Sequence, residues 1–266
     1  MPIYTCLDMI HDCRANKTEG WSYLITSYVP AIRNLLAHYY AGRANDLQLI
    51  DRVLKALRNP DSALYVAPGP ATERDFVAML RQEVVRVVEK DKASVPPEVP
   101  LDLEILTTAL EPFTVTEKQF VWLEGMAYST EATAKLMNLE PGTIQKVRDR
   151  AEDALRSHLD HWKRGSVADN GLLLGRLATA AETKDCLPGK AYLDAIDGRI
   201  TWSRKKDYDY HLSKCWFCID HFCRMREADF SLQKAKPMTA EESKPFRILL
   251  GLGEEKPSIW RRVLGN

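Results

Sequence analysis

Hydrophobic residues recur every three or four positions through residues 1–92, which is the spacing that places side chains on one face of a helix. No stretch there alternates convincingly with the period of two that a half-buried strand would show. The pattern therefore predicts three or four helices packed on one core, and an all-α fold class. The three apolar stripes consist of Leu24, Ile25, Tyr28, Val29, Ile32, Leu35, Leu36 and Tyr39; Leu47, Ile50, Val53, Leu54 and Leu57; and Phe76, Met79, Leu80, Val84, Val87 and Val88.

The next segment, residues 101–164, carries the signals of two helices joined by a tight break. Ser129 or Thr130 can cap a short first helix, and residues 138–142 contain the Asn, Pro and Gly of a break. Thr143 is placed to open a longer second helix. A short helix, a break and a longer helix form the outline of a helix-turn-helix.

A cluster of cysteine and histidine follows in the last third of the chain. His211, Cys215 and Cys218 form an H-x3-C-x2-C pattern, in which the histidine and the first cysteine share a helical face. These ligand types suit zinc, which takes four ligands in a tetrahedron. Cys186 precedes a segment able to fold back as a helix, so it is the predicted fourth ligand of Zn²⁺.

Alternatives to that ligand set remain open. His221 and Cys223 lie close enough in sequence to replace one of its members. A plainer interpretation makes the cysteines buried thiols and His211 a helix cap. In a reducing compartment such spacing indicates metal binding or redox chemistry rather than a disulfide framework.

Composition sets limits without choosing a function. The 266 residues include 37 basic and 37 acidic side chains, so only a local patch could mark a nucleic-acid partner. Loop-forming stretches divide the chain into predicted segments. These segments are 1–92, 101–164, 172–250 and a tail, 251–266.

Several classes of protein are disfavoured. No apolar run approaches the ~18 residues of a membrane span, and the first residues lack the pattern of a signal peptide. We therefore expect a cytoplasmic protein without a membrane partner. The sequence also lacks a G-x-S-x-G, an H-E-x-x-H and a Gly-rich phosphate loop, so we expect no catalytic residues and no enzyme activity.

Residues 129–136, 141–144 and 150–155 resemble region 4 of extracytoplasmic-function sigma factors of the sigma-70 family. Residues 20–40, 49–54 and 76–88 are similar in length and pattern to region 2 of the same family. The resemblance implies a helical region 2-like bundle and a region 4-like helix-turn-helix. It further implies that RNA polymerase core and promoter DNA are the partners.

The resemblance also implies positions for DNA contacts. A major groove admits one α-helix, whose first turns reach the base edges while basic groups hold phosphates. The groove-facing residues are then expected to be Thr143, Gln145 and Lys146. Arg148 and Arg150 are expected to contact the DNA backbone or to be simply solvated. Ser129 and Thr130, at the start of the first helix, are expected to lie at the DNA as well.

Residues 186–223 resemble a zinc-binding anti-sigma domain. The resemblance consists of Cys186, a helix with Tyr192-Leu193-Asp194 and Gly198, and the run His211 to Cys218. It implies a small helical zinc domain that packs on the sigma-like parts of the same chain as an inhibitor or sensor. The zinc is either structural or a redox switch, for which Cys223 would be an additional thiol.

Two functions follow. In the first, the chain is a sigma-like transcription regulator with an intramolecular inhibitor, so removal of the residues after Arg164 raises binding to polymerase or DNA. The alternative is a protein-interaction scaffold, or a DNA-binding regulator that does not engage polymerase. Arg52, Met79 and Val147 favour the alternative, because the family uses a different chemistry at each of these positions.

Overall fold

The structure is a computed structural model that describes residues 3–39, 42–65, 69–92, 97–163 and 165–253. Within these ranges the chain is all-helical and no strand occurs, as the hydrophobic pattern predicts. The helices are α1 (Cys6–Arg14), α2 (Thr18–Tyr39), α3 (Leu47–Arg58), α4 (Glu73–Lys92), α5 (Leu103–Ala109), α6 (Val115–Gly125), α7 (Thr130–Met137), α8 (Pro141–Arg156), α9 (Ser166–Asp169), α10 (Gly171–Ala180), α11 (Gly189–Ile196), α12 (Trp202–Leu212), α13 (Trp216–Lys234) and α14 (Ala240–Leu249).

The chain forms two compact units, and the first comprises Met1–Val88 together with Ser231–Asn266. The apolar stripes predicted for α2, α3 and α4 form its core, in which Trp21 and Phe76 are fully buried. Gly20 lets α1 approach α2, because a Cβ at this position would lie 2.6 Å from the backbone nitrogen of Cys13. Met79 also lies in this core.

The end of the chain belongs to this first unit rather than to the predicted segment 172–250. The backbone N–H of Met238 donates to the carbonyl of Thr26 at 2.8 Å, and Arg58 donates to the carbonyl of Leu250 at 2.8 Å. Phe246 of α14 is fully buried, and α14 packs on α2 and α3. The apolar face of α14 thus completes the core of the N-terminal bundle.

The second unit, Glu89–Phe230, joins two segments that the sequence analysis treats separately. Helices α9 and α10 pack on α6, the helix that precedes the predicted helix-turn-helix. Gly171 makes this possible, because a Cβ there would lie 1.6 Å from the carbonyl oxygen of Gly125. Residues 101–163 and 165–230 therefore share one core.

Among the residues that the structure describes, no helix is both long enough and apolar enough to cross a bilayer. The predicted tail lies mostly outside the described residues, since the description ends at residue 253. Arg164 also lies outside them.

Candidate metal centre

The four predicted metal ligands converge in the second unit. The ligand atoms of Cys186, His211, Cys215 and Cys218 all lie within 4.8 Å of one another. Sγ of Cys186 is 3.8 Å from Sγ of Cys215, and Nε2 of His211 is 3.1 Å from Sγ of Cys218. This cluster of three thiols and one imidazole could hold a metal ion.

Short elements position each ligand. His211 lies in the last turn of α12, Cys215 immediately precedes α13, and Cys218 lies in the first turn of α13. Cys186 lies in a turn before α11, where its own N–H donates to the carbonyl of Thr183 at 3.1 Å. The N–H of Thr183 in turn donates to Sγ of Cys186 at 3.3 Å, which orients that sulfur toward the cluster.

Burial and hydrogen bonding act in opposite directions on the thiols. Burial acts to raise the pKa of Cys186, but hydrogen bonds from Thr183 and from Cys215 outweigh it and lower that pKa. Burial raises the pKa of Cys215, and it raises the pKa of Cys218 to about 12. A metal ion binds thiolates, so occupation of the site would release protons from these residues.

Two distances between ligand atoms can be compared with the edges of a zinc tetrahedron. A tetrahedron with Zn–S bonds of about 2.3 Å and a Zn–N bond of about 2.0 Å has edges of about 3.8 Å between sulfurs and about 3.5 Å between sulfur and nitrogen. The separation of 3.8 Å between the sulfurs of Cys186 and Cys215 matches the first edge, and the separation of 3.1 Å between His211 and Cys218 is shorter than the second. Three sulfurs and one imidazole also form a donor set that suits zinc better than it suits hard cations such as Mg²⁺ or Ca²⁺.

The two alternative ligands have other surroundings. The imidazole of His221 packs against the ring of Tyr192, with ring centroids 4.5 Å apart, and against Phe217. Cys223 is buried farther along α13. The candidate metal group among the described residues includes neither of them.

The helix-turn-helix elements lie in the same unit. Ser129 caps α7, its hydroxyl accepting from the N–H of Ala132 at 3.2 Å. Asn138 ends α7 in the left-handed conformation, with φ of 56° and ψ of 51°. Helix α8 begins at Pro141, two residues earlier than the predicted opening at Thr143, because a proline is readily accommodated in a first helical turn.

The residues expected to face the groove are only partly open. Thr143 and Lys146 are exposed on α8. The side chain of Gln145 is half-buried, because it accepts from the hydroxyl of Thr130 at 3.0 Å and donates to Asp149 at 2.7 Å. Two of the three predicted residues therefore present unobstructed side chains.

Of the two arginines expected at the DNA backbone or in solvent, Arg148 differs from that expectation. The side chain of Arg148 is only 9% exposed, and its guanidinium lies 3.3 Å from Glu124 and donates to the carbonyl of Tyr128 at 3.0 Å. Arg150 is exposed, but it pairs with Glu117 at 2.8 Å and covers the ring of Phe113. The guanidinium of Arg148 also donates to the hydroxyls of Thr130 and Thr133, so its hydrogen bonds join α8 to the start of α7.

Sequence patterns did not reveal how α13 packs. The indole rings of Trp122 on α6 and Trp216 on α13 stack with centroids 5.2 Å apart. The indole N–H of Trp122 donates to Asp220 at 3.0 Å, and the hydroxyl of Tyr128 donates to Glu227 at 2.8 Å. The sequence does contain one sign of this packing, because the acidic residues Asp220 and Glu227 lie among the apolar residues of α13.

Asp220 has a second partner. It forms an ion pair with Arg224, one turn along α13, and both side chains are buried. Arg224 also donates to the hydroxyl of Thr179 on α10 at 3.1 Å. The helix that carries Cys218 is thus fixed to the helix before the helix-turn-helix by a buried polar network.

The chain matches no protein-family model, no curated protein and no solved structure.

Proposed function

We propose that this chain is a zinc-binding transcription regulator of sigma-like organisation. It binds duplex promoter DNA through α8 and engages RNA polymerase core through its sigma-like regions. The zinc segment, residues 183–223, acts on the helix-turn-helix from within the same chain. The observation that carries this proposal is the direct packing of α13 on α6. Helix α13 carries the metal ligand Cys218, and α6 precedes α7 and α8 in the same compact unit.

The cofactor is zinc. Support comes from the donor set and from the separation of the Cys186 and Cys215 sulfurs, which matches a tetrahedral edge. Bound zinc would join the turn at Cys186, the end of α12 and the start of α13, and so contribute folding free energy. A reducing, cytoplasmic environment would keep the three thiols available for the metal.

Duplex binding would use the exposed side of α8. Thr143 and Lys146 are open to a partner, and Lys146 has no ion-pair partner within the described residues. A helix N-terminus favours phosphate, and the first turns of α8 carry both residues. Since these side chains are exposed while α13 packs on α6, regulation by the zinc segment would act through α6 and the orientation of the helix pair.

The test uses the full, zinc-loaded chain, because residues 165–230 belong to the core that contains α6. A duplex site is selected from a randomised pool, and binding is measured against salt. Thr143→Ala combined with Lys146→Ala should weaken binding about tenfold and lower the salt slope by about one. Lys244→Ala, an exposed lysine of α14, is the matched control and should change neither quantity.

Polymerase binding is measured separately, by co-elution of the zinc-loaded chain with RNA polymerase core on a sizing column. Co-elution supports the sigma-like function. Sequence-specific duplex binding without co-elution would leave a DNA-binding regulator that does not engage polymerase.

A protein-interaction scaffold is the second candidate. The inward position of Arg148 and the pairing of Arg150 with Glu117 favour it, because they remove two cations from a DNA-facing surface. Affinity for DNA scales with the number of phosphates neutralised. Absence of both duplex and polymerase binding, with zinc still bound, would favour the scaffold.

A further inference from the structure

A row of exposed aromatic and basic side chains follows one side of α12. Three of its members lie four residues apart on α12, so each lies nearly above the previous one, and the fourth lies in the turn that follows the helix. We call this set the α12 stripe. It consists of Trp202, Lys206, Tyr210 and Lys214.

The aromatic members of the stripe are unusually open. Trp202 is 74% exposed and Tyr210 is 65% exposed, although both are large side chains that proteins tend to cover. The opposite side of α12 is already used, because Tyr208 and Leu212 are buried. The stripe is therefore not needed to pack this helix on the rest of its unit.

The two lysines of the stripe lie over the aromatic rings. Nζ of Lys206 is 4.3 Å from the ring centroid of Trp202, and Nζ of Lys214 is 4.2 Å from that of Tyr210. In the described part of the chain, neither lysine pairs with a carboxylate, whereas Lys205 pairs with Asp209. Lys214 also donates to the hydroxyl of Tyr210 at 2.6 Å. The stripe thus presents two positive charges, each beside an exposed aromatic ring.

We propose that the α12 stripe binds single-stranded nucleic acid. Sequence-tolerant single-strand binding combines aromatic faces, on which bases stack, with cations that follow the phosphates. Trp202 and Tyr210 are about 12 Å apart along the helix axis, a distance that a few nucleotides of one strand cover. The stripe supplies both groups in alternation, and its charge is complementary to the strand.

An anionic membrane is the competing partner of similar charge. A helix that lies in a membrane interface needs a broad apolar face. On α12 that face is buried, and only two aromatic rings remain outside. The composition of the exposed side therefore favours stacked bases over acyl chains.

This proposal goes beyond the function proposed above, because it assigns a second nucleic-acid surface to the zinc segment. It does not require α8 to bind DNA. The two surfaces are distinguished by their substrates, since the α8 variant is tested on duplex and the stripe variants on single strands.

The test measures fluorescence anisotropy of a labelled poly-thymidine oligonucleotide with the zinc-loaded full chain. Trp202→Ala combined with Tyr210→Ala should weaken binding at least about tenfold. Lys206→Ala combined with Lys214→Ala should lower the salt slope by about 1.4, as expected for two phosphates of a single strand. Far-UV circular dichroism and zinc content should stay at wild-type values, because all four side chains are on the surface.

Two matched controls accompany the variants. Lys205→Ala removes a paired charge from the same helix, and Ile248→Ala removes an exposed apolar side chain from α14. Both should bind the oligonucleotide as the wild type does. The proposal is overturned by undetectable binding of the wild type, by an aromatic variant that binds at full affinity, or by controls that lose as much affinity as the stripe variants. Flotation with phosphatidylglycerol vesicles, dependent on Trp202 and Tyr210 and without oligonucleotide binding, would assign the surface to membranes instead.

Discussion

Two buried cysteines of α13 show how position decides the role of a residue. Cys218 is within the reach of three other ligand atoms, whereas Cys223 is not part of the metal group. The H-x3-C-x2-C spacing made the first of these predictable, because metal knuckles need ligands close together in sequence. Burial of a thiol alone indicates only a small apolar side chain.

We predict that Cys218→Ser loses zinc while Cys223→Ser retains it. A serine hydroxyl is a poor ligand for zinc compared with a thiolate. Affinity for zinc should therefore fall by more than the roughly 10- to 100-fold seen when a residue that hydrogen-bonds to a metal ligand is removed. Zinc per chain after gel filtration, with competition by a chromophoric chelator, measures this. Equal zinc retention by the two variants would contradict the ligand assignment.

The direction of the Arg148 side chain could not be predicted from the sequence. The resemblance predicts that it contacts the DNA backbone or solvent, but its guanidinium lies beside Glu124 and donates to Thr133. A long side chain can direct its charge to either side of a helix. The direction depends on which acceptors the neighbouring helix offers, and no local sequence pattern encodes that.

At the scale of elements, local signals define α7, α8 and the break between them well. The hydroxyl of Ser129, the left-handed Asn138 and the early proline of α8 each act within a few residues of their own position. Such signals are readable from sequence, because caps and breaks depend on short-range geometry. The break between α7 and α8 was therefore predictable, and the start of α8 only to within two residues.

We predict that Asn138→Ala destabilises the second unit by about 1 kcal/mol. Alanine is strained at φ of 56°, whereas glycine is not. Asn138→Gly is therefore the matched control and should be close to neutral. Urea unfolding followed by circular dichroism measures both, and an alanine variant as stable as the glycine variant would show that the break is not held in this conformation.

The N-terminus of α6 makes the unit sensitive to acid. Partial burial acts to raise the pKa of Glu117, but hydrogen bonds from Thr114 and the ion pair with Arg150 outweigh it and lower that pKa. A carboxyl whose pKa is lower in the folded state stabilises the fold above its unfolded pKa, and this stabilisation is lost as pH falls through the folded value.

Glu117→Gln isolates this contribution, because glutamine can still complete a capping box without charge. We predict that the wild type is more stable than the variant near pH 7. The difference should begin to shrink as pH falls below about 4.3, the pKa of an unperturbed glutamate, and should be lost once pH falls below the lowered pKa of the folded state. Urea midpoints of both proteins at each pH give the difference, and effects shared by both proteins cancel. A difference that is constant with pH would mean that the ionised carboxylate is not involved.

At the scale of the whole molecule, the arrangement of the segments differs most from the sequence-based division. Arg58 meets Leu250, and Trp122 meets Asp220, across separations of 192 and 98 residues. Periodicity identifies that α14 and α13 have faces to bury, but not which distant helix covers them. Which segments of the chain make up each of the two compact units could therefore be obtained only from the structure.

The buried pair of Asp220 and Arg224 provides a prediction at this scale. Asp220→Ala removes the carboxylate that pairs with the buried Arg224 and accepts from Trp122, and it should destabilise the second unit by about 3–5 kcal/mol. Replacing both residues, as Asp220→Leu with Arg224→Met, should cost less, because the buried guanidinium is removed together with its carboxylate. Urea unfolding at fixed free zinc compares them, and equal losses would show that the charge pair is not what holds α13.

The metal site and α6, the helix that precedes the predicted helix-turn-helix, belong to one folding unit. Hydrogen exchange of the full chain, measured zinc-loaded and after chelation, tests it most directly, with α2 and α3 of the first unit as internal reference. We predict that chelation removes protection from α6 as well as from residues 183–223, because α13 carries a ligand and packs on α6. Loss of protection confined to residues 183–223, with α6 unchanged, would contradict the account.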